Sequence, residues 1–349
     1  FALKKMGKDV ALGNLAFTET DKIQAQTLLK LNIGENQMVC KISKDAIYKS
    51  SSKSPYFPEK HACEWLETNH FPGTMYVLRR TGVRSLLKSY EAIYQDFNFD
   101  MVILVDGGSD VLMAGDENEL GSPAEDVSHL TAISHFQVAD KVIDKLVICL
   151  GVSVDRYHGV SDKATMRAIA EITKSGGYLG GFPLVPQMEE VQKMLELSAH
   201  IEKKMPNNPS IVTNSVISAI TGEFGNFHRC ERTEGSALFI NPLMSQYHFF
   251  DLQTVAKRLK YREWLEDTDN LMELVGAIQE YRKDLSKKKK ILPVEEWPRT
   301  DYFQSVWISH CLELIQSWLF RTGDHYFGSL FLFCSSERQS TVSNESESE

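Results

Sequence analysis

At 349 residues, with 42% hydrophobic and 24% charged residues, the chain can bury a sizeable core and has the balance of an ordinary globular protein. Its formal net charge of -9 argues against a general nucleic-acid binder, which carries a basic footprint. Six cysteines scattered without a CxxC pair fit reduced thiols in a cytoplasmic protein, and exclude both a disulfide framework and a zinc-ligand spacing.

The first residues carry Lys4, Lys5 and Lys8 without the apolar run of a secretory signal, and position 1 is Phe, so the chain is expected to be incomplete at its start. Asp9-Val-Ala-Leu-Gly-Asn-Leu-Ala-Phe17 reads as a buried strand after a helical turn, and Thr74 to Leu78 as a second strand. Val83, Leu86, Leu87, Tyr90, Ile93, Tyr94 and Phe97 recur at helical spacing and form one apolar face. Met101-Val-Ile-Leu-Val105 is short and apolar without polar alternation, which suits a strand covered on both sides of a parallel sheet. Ser122-Pro-Ala-Glu125 supplies an N-cap serine, a proline at the first helical position and a glutamate at the third, the pattern of a capping box. Lys145 to Leu150 is another buried strand, and Ser161 opens a helix that stops near Gly176-Gly177.

The later half is more helical, with apolar faces over Val191 to Ile201, Val212 to Ile220 and Leu271 to Tyr281, and one further strand expected over Ser236 to Asn241. Strand and helix alternate, so the expected fold is α/β, a mostly parallel Rossmann-like sheet flanked by helices with a more helical second half. Residues 1–298 read as one α/β domain and 299–334 as an additional helical or apolar segment, in which Phe303, Trp307, Cys311, Leu314 and Trp318 line a helix. Residues 335–349 read as a disordered polar tail. The apolar stretch from Trp318 to Cys334 is broken by Arg321, Asp324 and His325, so no membrane anchor is expected.

Asp106-Gly107-Gly108-Ser109-Asp110 follows the strand that ends at Val105. Ligands of open α/β sheets bind beyond the carboxyl ends of strands, and two glycines let backbone N–H groups approach a ligand. Flanking carboxylates hold a hard cation such as Mg²⁺, orient a hydroxyl, or act as acid and base. Asp106 and Asp110 are therefore candidate catalytic and metal-binding groups, Gly107, Gly108 and Ser109 candidate ligand contacts, and Asp116 and Glu117 further metal-ligand candidates. Ordinary turn chemistry is the plain alternative for Asp106 and Asp110, since aspartate readily bonds nearby backbone. Glu125 is read as the capping-box acid, and Asp126 as a first-turn acid favoured by the helix dipole.

A second loop, after the strand ending at Leu150, brings Gly151, Asp155, His158 and Gly159. If the two strands are parallel neighbours, Asp155 and His158 converge with Asp106 as catalytic candidates, and an imidazole titrates in the range that suits proton transfer. Gly176 to Gly181 is expected to be a flexible loop able to approach a phosphate, without the spacing of a nucleotide fingerprint. His228 and Arg232 are ligand-binding candidates, since arginine pairs well with carboxylate or phosphate. Neither GxSxG nor HExxH occurs, so serine-hydrolase and zinc-protease readings have no support.

Met101 to Glu117, with its DGGSD and GDE elements, and Leu120-Gly-Ser-Pro-Ala-Glu-Asp126 resemble the core signature of the domain of unknown function 1152 family. The resemblance extends from Asp9 to about Glu280 and takes in His228, Arg232-Thr-Glu-Gly-Ser236 and Ile240-Asn-Pro-Leu-Met244. It implies an α/β fold and no particular activity. Members of that family usually begin with a strand and a glycine-rich, Asp-containing loop that this chain does not show.

Two readings follow. In the first, a metal-assisted enzyme of unassigned reaction acts on a small phosphorylated or carboxylated metabolite at the acidic loop. In the second, the same pocket serves a non-catalytic small-molecule sensor or an inactive, truncated variant. A protein-interaction adaptor is a third. The expected partner is a small-molecule ligand, with no nucleic acid and no membrane; composition assigns no oligomeric state.

Overall fold

The computed structural model describes residues 1–24, 29–33, 36–50, 56–288, 290–293 and 330–335. In chain order α1 (Ala2–Lys5) precedes β1 (Asp9–Ala16), β2 (Ile23–Gln24), β3 (Lys30–Ile33), β4 (Asn36–Ser43) and β5 (Ile47–Tyr48). Then come α2 (Pro58–Thr68), β6 (Thr74–Arg79), α3 (Val83–Asp96), β7 (Met101–Asp106), α4 (Pro123–His135) and β8 (Asp144–Leu150). The more helical second half holds α5 (Asp162–Lys174), β9 (Tyr178–Pro183), α6 (Glu189–Lys204), α7 (Ile211–Ile220) and β10 (Gln246–Asp251). It continues through α8 (Leu252–Arg258), α9 (Arg262–Leu265) and α10 (Leu271–Lys287), and β11 (Leu330–Ser335) closes the described chain.

Nine strands form one sheet in the order β3-β4-β6-β1-β11-β7-β8-β10-β9. Residues alternate between its two faces, as the pleat requires. Leu15, Tyr76, Leu78, Val102 and Leu104 face a large core shared with α3, α4, α8 and α10, whereas Ala16, Met75 and Val77 face a smaller core shared with α2 and α6. The amphipathic pattern of α3 finds its partner in the larger core, where Leu86, Tyr90 and Ile93 are buried. At α5 the Ser161 hydroxyl accepts the Ala164 N–H at 3.1 Å, the cap that its position suggests.

The α/β class holds, but the sheet is mixed rather than mostly parallel. β1–β6 and β7–β8 are parallel pairs, and the other neighbouring pairs of the large sheet are antiparallel. The description as Rossmann-like is therefore approximate. Pairing through the shared neighbours still leaves β1, β6, β7 and β8 pointing the same way, with β4, β10 and β11 running against them. The carboxyl ends of those four strands thus share one edge. A short apolar run looks the same in either direction, which is why its direction is not legible locally.

Three local expectations change. Leu330–Ser335, read as the end of the 299–334 helical or apolar segment and the first residue of the polar tail, is the strand between β1 and β7. Gly176 to Gly181, read as a flexible glycine loop, runs into the edge strand Tyr178–Pro183, and Ser236 to Asn241 forms only an isolated bridge between Gly225 and Ile240. The expected helix over Phe303 to Trp318 and the polar tail past Ser335 lie outside the described residues. Among the described residues no helix is long and apolar enough to cross a membrane.

Candidate functional site

Asp106 is the last residue of β7, and its register partner on the parallel strand β8 is Cys149. The pleat turns Asp106 toward the same face as Val102 and Leu104, beneath the start of α4. The chain then crosses Gly107 and Gly108, makes a short 3-10 turn over Asp110–Leu112, and enters α4 at Pro123. This path brings carboxylate oxygens of Asp106, Asp110 and Asp126 within 4.8 Å of one another, all three residues being buried.

Asp155 lies in the 3-10 turn Val154–His158, just after β8, and is buried against the same loop. Its Oδ2 accepts the Ser109 N–H at 2.6 Å and stands 3.4 Å from the Ser109 hydroxyl, which in turn lies 3.1 Å from the Thr165 hydroxyl. The expected convergence of the two loops is thus present for Asp155. Gly108 is required at this contact, because a Cβ there would overlap the Asp155 carboxylate. Gly121 is required twice over: its φ is +69°, and a Cβ would strike Asp110.

Ser122 does not close the expected capping box. Its side chain makes no cap hydrogen bond; instead the Ser122 N–H and hydroxyl reach Asp110 Oδ2 at 2.6 and 2.8 Å. The same hydroxyl stands 3.1 Å from Asp126 Oδ2, and with one proton it can donate to only one of the two carboxylates at a time. The acid cluster thus takes over the group that sequence assigns to the helix cap.

The electrostatics are those of crowded like charges. At 4.8 Å two full negative charges repel by about 3.5 kcal/mol at an effective dielectric near 20. Burial holds the Asp106 carboxyl well above the usual range, and the charges of Asp126, Asp110 and Asp155 push it further. Asp155 is raised likewise, by burial and then by Asp110, with N–H groups of Ser109 and Asp110 opposing. Such a cluster takes up protons or a cation.

The remaining candidates fall elsewhere. Asp116 pairs with Lys260. Glu117 accepts the N–H groups of Ala114 and Gly115 at 3.0 and 2.8 Å and so braces its own turn, with Arg167 at 3.8 Å. Neither joins the group formed by Asp106 and Asp110; Asp126 takes the third place. His158 ends the turn that holds Asp155, and its side chain is outside the described residues. The imidazole of His228 meets the Thr233 hydroxyl at 3.1 Å, and Arg232 donates to the Pro209 carbonyl at 3.1 Å, just before the Ser210 that caps α7.

One member of the cluster, Asp126, and one nearby buried group, Tyr261, are not among the sequence candidates. Asp126 was assigned to the helix dipole, though its place four residues after Ser122 puts it on the same side of the first turn. Tyr261 had no local signal. Its hydroxyl is buried without a hydrogen-bond partner, and the charges of Glu117, Asp110 and Asp126 add to burial in raising the phenol.

A family described as "Protein of unknown function (DUF1152)" matches residues 60–282, from α2 into α10, a span that contains all four aspartates. No curated protein and no solved structure matches the chain.

Proposed function

We propose, from the premise that the chain belongs to the DUF1152 family of proteins of unknown function, that its aspartate cluster binds a hard divalent cation of the Mg²⁺ kind. The observation that carries this is the gathering of Asp106, Asp110 and Asp126 within 4.8 Å. Opposite oxygen ligands stand about 4.2 Å apart around Mg²⁺ and about 5 Å apart around Ca²⁺, so this spread fits one coordination sphere. The position, beyond the carboxyl ends of two parallel strands, is where open α/β sheets bind ligands.

In this reading the cation presents a phosphate or carboxylate of a small metabolite, with the backbone of Gly107, Gly108 and Ser109 as further contacts. Such a cation polarises a bound oxygen or acidifies a bound water, and Asp155, with its raised proton affinity, is placed to exchange a proton. A neighbouring cavity, lined by Glu117, Asn118, Glu119, Gly159, Ser161 and Arg167, measures about 10 Å³, room for a single water. A cytoplasmic location belongs to the same reading, supported by the free thiols of Cys40, Cys63, Cys149 and Cys230.

Calorimetric titration with Mg²⁺, Mn²⁺ and Ca²⁺ tests the cation. One equivalent is expected to bind wild type, with affinity at least about tenfold weaker in Asp106→Asn. Absence of binding, or equal binding by the variant, overturns the proposal. A metabolite mixture analysed before and after incubation with the loaded protein then separates an enzyme, which changes it, from a sensor, which only retains a component.

A further inference from the structure

We propose that His61, Glu64 and His200 form a second cation site, for a borderline-soft transition metal of the Zn²⁺ class, bridging α2 and α6. His61 and Glu64 are three residues apart on α2, and His61 Nδ1 lies 3.0 Å from Glu64 Oε2. From α6, His200 Nε2 lies 3.6 Å from the same oxygen. That is too long for a hydrogen bond, and this buried nitrogen has no hydrogen-bond partner. Ligand atoms held tetrahedrally at about 2.0–2.1 Å from Zn²⁺ stand about 3.3 Å from each other, a separation that the two observed distances bracket.

The scaffold suits such a site. Ala62 and Cys63 of α2 share a packed core with Ile201 of α6, so the two helix backbones are held in register. Side-chain exposures of 18% for His61, 24% for Glu64 and 29% for His200 place the group at the protein surface, with His200 Nε2 itself turned inward. Imidazole suits transition metals of the Zn²⁺ class, while the all-oxygen aspartate cluster suits harder cations. Three protein ligands leave a fourth position for water.

Two adjustments accompany binding. Lys204 Nζ lies 3.7 Å from Glu64 Oε2 and must turn away; it is half exposed and free to do so. Of the described residues only the three aspartates already have all their ligand atoms within 4.8 Å of one another, so the metal draws the two imidazoles together by side-chain rotation.

Co²⁺ titration of the full chain, read by its visible ligand-field absorption, tests the site. The expected result is a one-to-one band that Zn²⁺ displaces. His61→Gln and His200→Gln should each weaken it by more than about tenfold, and Lys204→Met should strengthen it several-fold. Asp106→Asn should leave it unchanged. The histidines are partly exposed, and unchanged far-ultraviolet dichroism without metal confirms that the variants fold. No band, a band indifferent to both histidine variants, or a band lost in Asp106→Asn and kept in them overturns the proposal.

Discussion

Asp106 shows why a strand end can carry chemistry that the strand itself does not suggest. It accepts the Val111 N–H at 3.3 Å and is surrounded by Asp110, Asp126 and Asp155. Its raised folded-state pKa means that stability is full below the unfolded value, about 3.9, and is lost as pH rises through the folded one. Asp106→Asn removes that penalty. Without cation, denaturant unfolding should find the variant more stable than wild type by about 1–3 kcal/mol at pH 8, with the difference shrinking toward pH 4. Saturating Mg²⁺ should reverse the order. A second buried acid works independently on the opposite face of the sheet. Glu59, at the start of α2, is pushed up to about 7 by burial, while the Asn14 amide donates to it at 2.7 Å. Its contribution is full below about pH 4.5 and lost as pH climbs to about 7. Glu59→Gln should therefore gain about 3 kcal/mol over wild type at pH 8 and nothing at pH 4.5, and parallel pH profiles would sink this account.

At the scale of elements, β11 is the least local piece of the fold. It runs antiparallel between β1 and β7, and Phe331 and Phe333 are both fully buried. Phe333 meets Phe99 at 4.9 Å between ring centroids and Tyr76 edge-on at 6.1 Å, and Phe331 lies 4.4 Å from the His129 ring. Phe333→Ala should cost about 3–5 kcal/mol, the range for truncating a buried aromatic ring. A loss below about 1 kcal/mol in denaturant unfolding would mean that the strand does not occupy the sheet centre. α4 makes the complementary point. Its first turn gives Ser122 and Asp126 to the acid cluster, so the helix start is organised around the aspartates instead of its own cap.

For the whole molecule, the proposed cation would compete with protons for the same buried charge. On the proposed reading, a divalent ion ligated by Asp106 displaces the proton it holds, so affinity should rise as pH climbs through its raised value. Calorimetry in two buffers of different ionisation enthalpy should detect the released protons; a dissociation constant independent of pH would contradict the linkage. The sheet brings both acidic loops to one edge through the parallel pair β7–β8.

Much of this was legible locally. The apolar run Met101 to Val105, the stripe of α3 and the cap of α5 declare themselves through period and end chemistry. So does the placing of Asp106 and Asp110 at a strand's carboxyl end. Asp155 was within reach too, because parallel neighbours put consecutive loops together. Sequence by itself determined the α/β class and the acidic loop, since both depend on spacing along the chain. Only the tertiary structure decided that Asp126 completes the cluster, that Glu117 braces a turn and that Asp116 pairs with Lys260. It alone inserted β11 at the centre of the sheet. Those outcomes rest on contacts between residues far apart in sequence, and a buried carboxylate's partner is set by what the packed chain brings beside it.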